Sequence, residues 1–166
     1  YNESPTGSVH PTPVIGMVGV IDSLEHITRS TFRNVGDAIV LLGDCTDEIV
    51  GSEYLATVHG VTGGAPPWCD IVRERGVINT LLQSIQAGVV ASAHDCSDGG
   101  LAIAIAECMM SDAEATTGAD IDLTPWDNLP DRAVLFGEAQ GRVIVSSGDA
   151  DRVLQIAAEN SVPARK

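Results

Sequence analysis

Lysine is almost missing from this sequence: in 166 residues the only one is Lys166. That rules out a phosphate loop of the Walker type and argues against a Schiff-base enzyme, since both need a lysine inside the site. Bases of either kind are scarce, 9 against 23 acids, and the formal charge is -14. So acidic a surface repels phosphate backbones, which argues against a nucleic-acid partner. Aromatic residues make up only 4%, so the core must be built from Val, Ile, Leu and Ala. No apolar run reaches the roughly 18 residues of a membrane span, and no membrane partner is expected. The cysteines, Cys45, Cys69, Cys96 and Cys108, lack the close pairing of a zinc knuckle and read as buried, reduced thiols of a cytoplasmic protein. The four histidines are too dispersed for a metal triad, so no metal ligand is assigned. The chain opens on Tyr1, Asn2 and Glu3 with neither Met nor a secretory pattern, and reads as a piece of something longer.

What is present is an ordinary globular composition, 44% hydrophobic and 19% charged, in a length that suits one domain. Residues 1–13, rich in Pro, Ser, Thr and Gly, predict a loop. The run VIGMVGVI at 14–21 predicts a buried strand whose Gly16 and Gly19 allow close backbone packing. A second apolar strand is predicted at 38–42. Residues 51–60 predict a short helix between an N-cap at Ser52 and a stop at Gly60. Ile78, Leu81, Leu82 and Ile85 form the stripe of an amphipathic helix ending at Gly88. A strand is predicted at 89–94. An apolar helix follows from near Gly100, with Leu101, Ile105, Cys108 and Met109 inward. Residues 119–123 predict an edge strand, and 134–136 with 143–145 a strand pair. A last helix is predicted at 149–160, with Val153, Ile156 and Ala157 inward. No internal repeat is visible. The mixture without strict alternation predicts an α/β or α+β class, a mixed sheet with helices packed on it.

Chemistry gathers at one turn. Asp95, Cys96, Ser97, Asp98, Gly99 and Gly100 lie between a strand end and a helix start, where free N–H groups can hold a phosphate or carboxylate. Against that, Asp95 and Asp98 repel an anion, and Ser97 or Asp98 could simply cap the helix. His94 adjoins the turn, though a lone histidine there commonly serves structure. Ser52 opens a second Gly-led helix start. Glu138 and Arg142 read as a structural ion pair. No Ser-His-Asp or Cys-His arrangement can be assigned from spacing.

Several stretches together resemble one family. They are Tyr1-Asn2-Glu3; Pro11-Thr12-Pro13 running into Gly16 and Gly19; Gly36-Asp37 before Leu41-Leu42-Gly43; Gly51-Ser52-Glu53-Tyr54-Leu55 with His59-Gly60; and Ala65-Pro66-Pro67. Ser92-Ala93-His94-Asp95 and Ser97-Asp98-Gly99-Gly100-Leu101-Ala102 follow, then Leu135-Phe136-Gly137-Glu138-Ala139-Gln140 with Arg142, and Val162-Pro163-Ala164-Arg165. In order and spacing these resemble the synthetase subunit of phosphoribosylformylglycinamidine synthase, in particular the small, separate-subunit type.

The resemblance implies an ATP-dependent ligase of purine biosynthesis. It would convert formylglycinamide ribonucleotide, with ammonia from glutamine, into the formylglycinamidine, with ATP and Mg²⁺ as cofactors. A glutaminase subunit and a small bridging subunit are the implied partners. Residues 1–30 would be the end of a second ATP-binding-type domain. Residues 31–166 would be most of a domain like the C-terminal domain of aminoimidazole ribonucleotide synthetase, truncated at its carboxyl end. The family's catalytic residues lie upstream, so none is assigned here; the chain alone is expected to be inactive and to bind no cofactor. The remaining substrate- or phosphate-binding candidates are Asn2, Ser52, His94, Asp95, Ser97, Gly99 and Gly100. The alternatives are another member of the same superfamily, of the selenophosphate synthetase or thiamine-monophosphate kinase type, or a non-catalytic subunit-docking domain.

Overall fold

The computed structural model describes residues 3–5, 7–8, 13–112 and 117–166. Asn2, Pro11 and Thr12 lie outside them. The stretch predicted as a loop holds one short antiparallel ladder, β1 (Glu3–Ser4) with β2 (Gly7–Ser8).

The predicted strand at 14–21 is absent. Val14, Ile15, Met17, Val18, Val20 and Ile21 are all exposed, Val18 fully at 102%. A Cβ on Gly16 or Gly19 would meet nothing within 4 Å, so these glycines serve no close packing. A strand is stable only with a ladder partner and a covered face, and this run has neither among the described residues.

The centre of the molecule is a four-stranded sheet in the order β4-β5-β3-β6, antiparallel throughout. β3 (Ala38–Leu42) lies against β5 (Val143–Ser147), with Val40 opposite Val145. β4 (Ser92–Asp95) flanks β5, and β6 (Ala164–Arg165) pairs with only Leu41 and Leu42. β4 starts three residues later than the predicted strand. Alternate side chains point to opposite faces, and both faces are covered. Leu41 and Ile144 pack with Phe32, Trp126, Leu101, Ile105, Cys108 and Val134. Val40, Leu42 and Val145 pack with Val77, Val153, Ala157 and Val162. The result is three layers, helix–sheet–helix, in agreement with the predicted class.

Five helices lie among the described residues. α1 (Glu53–His59) follows its prediction: Ser52 Oγ accepts from Leu55 N–H, and Gly60 closes the helix at φ 65°. α2 (Ile71–Gln86) is capped by Asp70, whose Oδ1 accepts from Val72 and Arg73 N–H. The inward face of α2 differs from the predicted stripe. Val77, Thr80 and Ser84 are buried, whereas Ile78 and Leu82 are exposed. Ser84 is accommodated there because its Oγ donates to Thr80 O at 2.8 Å, which satisfies the hydroxyl inside its own helix; the Thr80 hydroxyl is buried without a partner.

α3 (Gly100–Met110) buries Leu101, Ala104, Ile105 and Cys108 and leaves Ile103 and Met110 exposed. Residues 119–123 form no strand; Leu123 leads instead into a single 3₁₀ turn, Thr124–Trp126. The predicted strand pair is half right. Residues 134–136 belong to α4 (Asp131–Phe136), which starts directly after Pro130 with an acid in its first turn. Val143, Ile144 and Val145 are indeed strand, but they pair with β3 and β4. α5 (Ala150–Glu159), capped by Asp149, buries Val153, Ile156 and Ala157 as predicted. Thus α2 and α5 cover one face of the sheet and α3 and α4 the other, while α1 buries no residue of its own.

Candidate functional site

Three connections meet at one end of the sheet: the turn from β4 to α3, the loop from α4 to β5, and the residues before α1. They approach so closely that side chains would not fit between them. Gly100 has φ +72°, and a Cβ there would stand 2.5 Å from Gly137 O. A Cβ on Gly137 would stand 2.6 Å from Glu48 O. These two glycines are therefore required by backbone contact.

The helix start does not follow the predicted capping. Gly99, at φ 81°, is the N-cap of α3 and has no side-chain cap bond. Ser97 Oγ donates to Asp95 Oδ2, and this bond holds the Asp95 carboxyl below the usual carboxylate range. The Gly99 N–H is taken by Glu138 Oε1 at 2.9 Å, and the same oxygen accepts from Glu53 N–H at 2.8 Å.

Glu138 and Arg142 are not the ion pair that sequence spacing suggested. Arg142 is only 3% exposed. Its guanidinium donates to Ala139 O, Gly137 O and Cys45 Sγ, clamping the loop that carries Glu138. Nothing in the linear sequence distinguished an acid that seeks backbone N–H groups from one that seeks its basic neighbour.

Asp95, Ser97, Asp98, Glu138, Gln140 and Arg142 line a cleft of about 370 Å³, together with Glu74, Val77 and Ile78. The structure thus brings Asp95 and Ser97 together and places Gly99 and Gly100 just behind them. Four acids face this cleft, and its guanidinium is already committed to carbonyls. Its side chains are poorly furnished for a bare phosphate.

His94 stands beside the turn. Its Nε2 lies 3.1 Å from Glu107 Oε2 and its Nδ1 3.5 Å from Asp95 Oδ1, tying β4 to α3. Ser52 borders the same junction, next to Glu53, but is committed to structure: buried, it donates to Ile49 O at 2.6 Å and caps α1. Asn2 lies outside the described residues.

A larger cavity, about 560 Å³, lies against the sheet face formed by Ile39, Leu41 and Ile144, with Leu101, Ile105 and Trp126 in its walls. None of the predicted site residues lines it. Trp126 is fixed there by an Nε1–H bond to Asp44 Oδ1 at 2.6 Å.

The thiols are mostly as read. Cys45 and Cys108 are buried and Cys96 partly so, but Cys69 is exposed, contrary to the sequence reading. Burial pushes the Cys96 thiol up to about 12 and the Cys108 thiol up to about 11. They are therefore inert at neutral pH. Among the described residues no group of three His, Cys, Asp or Glu side chains is placed to hold a metal ion. No helix among them is long and apolar enough to cross a membrane.

Residues 34–166 match the family described as AIR synthase related protein, C-terminal domain. The chain belongs to this family. The match takes in the sheet, its five helices and the cleft. Among curated relatives, phosphoribosylformylglycinamidine synthase subunit PurL of Moorella thermoacetica is 43% identical over 99% of the chain and 22% of its own length. The same subunit from Anaeromyxobacter dehalogenans is 42% identical over 98% of the chain and 22% of its own length. This chain thus spans about a fifth of the relatives it matches. Among solved structures, Thermotoga maritima PurL complexed with FGAR shares the fold at a TM-score of 0.71 and 22% identity, over 86% of this chain and 25% of that one.

Proposed function

We propose that this AIR synthase related domain is part of a phosphoribosylformylglycinamidine synthase, an ATP-dependent ligase of de novo purine biosynthesis. The ligase forms a C–N bond, turning formylglycinamide ribonucleotide and glutamine-derived ammonia into formylglycinamidine ribonucleotide. The observation that carries this reading is the 43% identity to a PurL subunit over 99% of the chain, end to end rather than in one motif. Residues 1–30 are the end of a preceding ATP-binding-type domain and 31–166 the AIR synthase related domain. The family match beginning at residue 34 and the full exposure of the apolar run at 14–21 both support that division.

Within this scheme the chain supplies scaffold and one wall of a cleft, not the catalytic groups. In this reading Mg²⁺ and the ATP phosphates are held by segments upstream of this chain, as the resemblance implies. Asp95, Ser97, Gly99 and Gly100 would meet substrate only at the edge of the turn. A glutaminase subunit and a small bridging subunit complete the cytoplasmic enzyme; a Thermotoga maritima PurLQS assembly has been solved. The test is to express the whole reading frame that contains this chain. It should hydrolyse ATP only when formylglycinamide ribonucleotide and ammonia are both supplied, and the 166-residue chain alone should not. Substrate-dependent turnover by the chain alone would place catalytic groups inside it and overturn the scaffold role.

A further inference from the structure

Glu138 sits in the short loop between α4 and β5, and its side chain ends at peptide N–H groups from two different helices. Oε1 accepts from Glu53, the first residue of α1, and from Gly99, the N-cap of α3. The loop presenting this carboxylate is itself held, because Arg142 donates to the carbonyls of Gly137 and Ala139, one on each side of Glu138. Gly137 is wedged against Ala133 O and Glu48 O. Glu138, Ser97 and Asp98 all line the same cleft, so whatever sets the position of Gly99 also sets that cleft's mouth.

We propose that Glu138 is a positioning residue: its carboxylate fixes the turn of residues 95–100 against α1 and so sets how the cleft receives substrate. The second half of this statement rests on the ligase reading above; the first does not. Two arms of one experiment separate them. In the 166-residue chain, amide exchange at Glu53 and Gly99 is followed for the unaltered protein, Glu138→Ala and Glu138→Gln. The Ala variant should exchange about tenfold faster at both amides, with the amides of β3 and β5 unmoved. The Gln variant keeps an oxygen at the same reach and should restore most of the protection. In the full-length subunit, Glu138→Ala should raise the KM for formylglycinamide ribonucleotide about tenfold with kcat little changed, and Glu138→Gln should recover it.

Unchanged exchange at Glu53 and Gly99 in Glu138→Ala overturns the clasp. Faster exchange with an unaltered KM overturns its action on substrate. If the unaltered full-length subunit shows no such turnover, the ligase reading fails, while the exchange arm still decides the clasp. Should Glu138→Ala fail to fold, Glu138→Asp keeps the charge but withdraws the oxygen by one methylene. The same acceleration is then expected, and its absence counts against the proposal in the same way.

Discussion

Residues 14–21 and residues 38–42 look alike in the sequence, two uncharged apolar runs of strand length, yet they end in opposite places. In the second, Val40 and Leu42 are fully buried; in the first, Val14 and Val18 stand almost wholly in water. The difference lies in what each run meets. β3 has β5 along one edge, part of β6 along the other, and helices over both faces. The earlier run meets nothing among the described residues. Apolarity makes a strand possible, and a partner makes it real.

The largest effect that tests this contrast is a matched pair of truncations. Leu42→Ala should cost about 2–5 kcal/mol, the range for emptying a tightly packed core site. Val18→Ala should fall within about 0.5 kcal/mol, as for an exposed position. Urea unfolding followed by circular dichroism measures both, and comparable losses would erase the distinction. Next, the uncovered run should drive self-association despite the charge of -14. Light scattering should show dimers or larger species for the whole chain and a monomer once residues 1–30 are removed. A monomeric whole chain across a wide concentration range would mean that the run is not sticky.

Smaller effects sharpen the contrast at single hydrogen bonds. Ser52 has two partners in a buried setting, so Ser52→Ala should lower stability by about 1 kcal/mol. Ser97 is no cap, and its hydroxyl instead favours the charged form of Asp95. Ser97→Ala should let the Asp95 titration rise toward the ordinary carboxylate value, read by NMR between about pH 2 and 6. A carboxyl depressed by folding contributes stability above its ordinary value and loses it as pH falls through the folded one. The variant should therefore lose only a small increment above the ordinary carboxylate value, one that vanishes toward acid, because Asp95 is largely exposed and screened. An unmoved titration would show that the hydroxyl does not govern Asp95.

The contrast also shows which parts of the fold can be read from residues. α1 was legible because its cap and stop are chemical signals carried locally by Ser52 and Gly60. α5 was legible because Val153, Ile156 and Ala157 repeat at helical spacing. Residues 134–136 were not, since three apolar residues cannot separate a strand from a helical turn; Pro130 and Asp131 were the better signal. The inward face of α2 was misjudged because two polar residues lie buried there: Ser84 satisfies its hydroxyl within the helix, whereas Thr80 Oγ1 has no partner, and Ile78 and Leu82 are left outside. At the candidate site, the turn and its glycines were visible, but its organising group was not. Glu138 is about forty residues from Gly99 in sequence, and only folding shows that its carboxylate reaches those N–H groups.

The pairing of β3 with β5 has a consequence in time. The two strands at the centre of the sheet are separated by about a hundred residues of chain, so their contact closes a long loop and forms late. During synthesis at about 5–20 residues per second, β3 waits about 5–20 seconds before β5 exists to receive it. For that interval the run at 38–42 is as uncovered as the run at 14–21, and the nascent chain carries two adhesive segments where the folded chain has one.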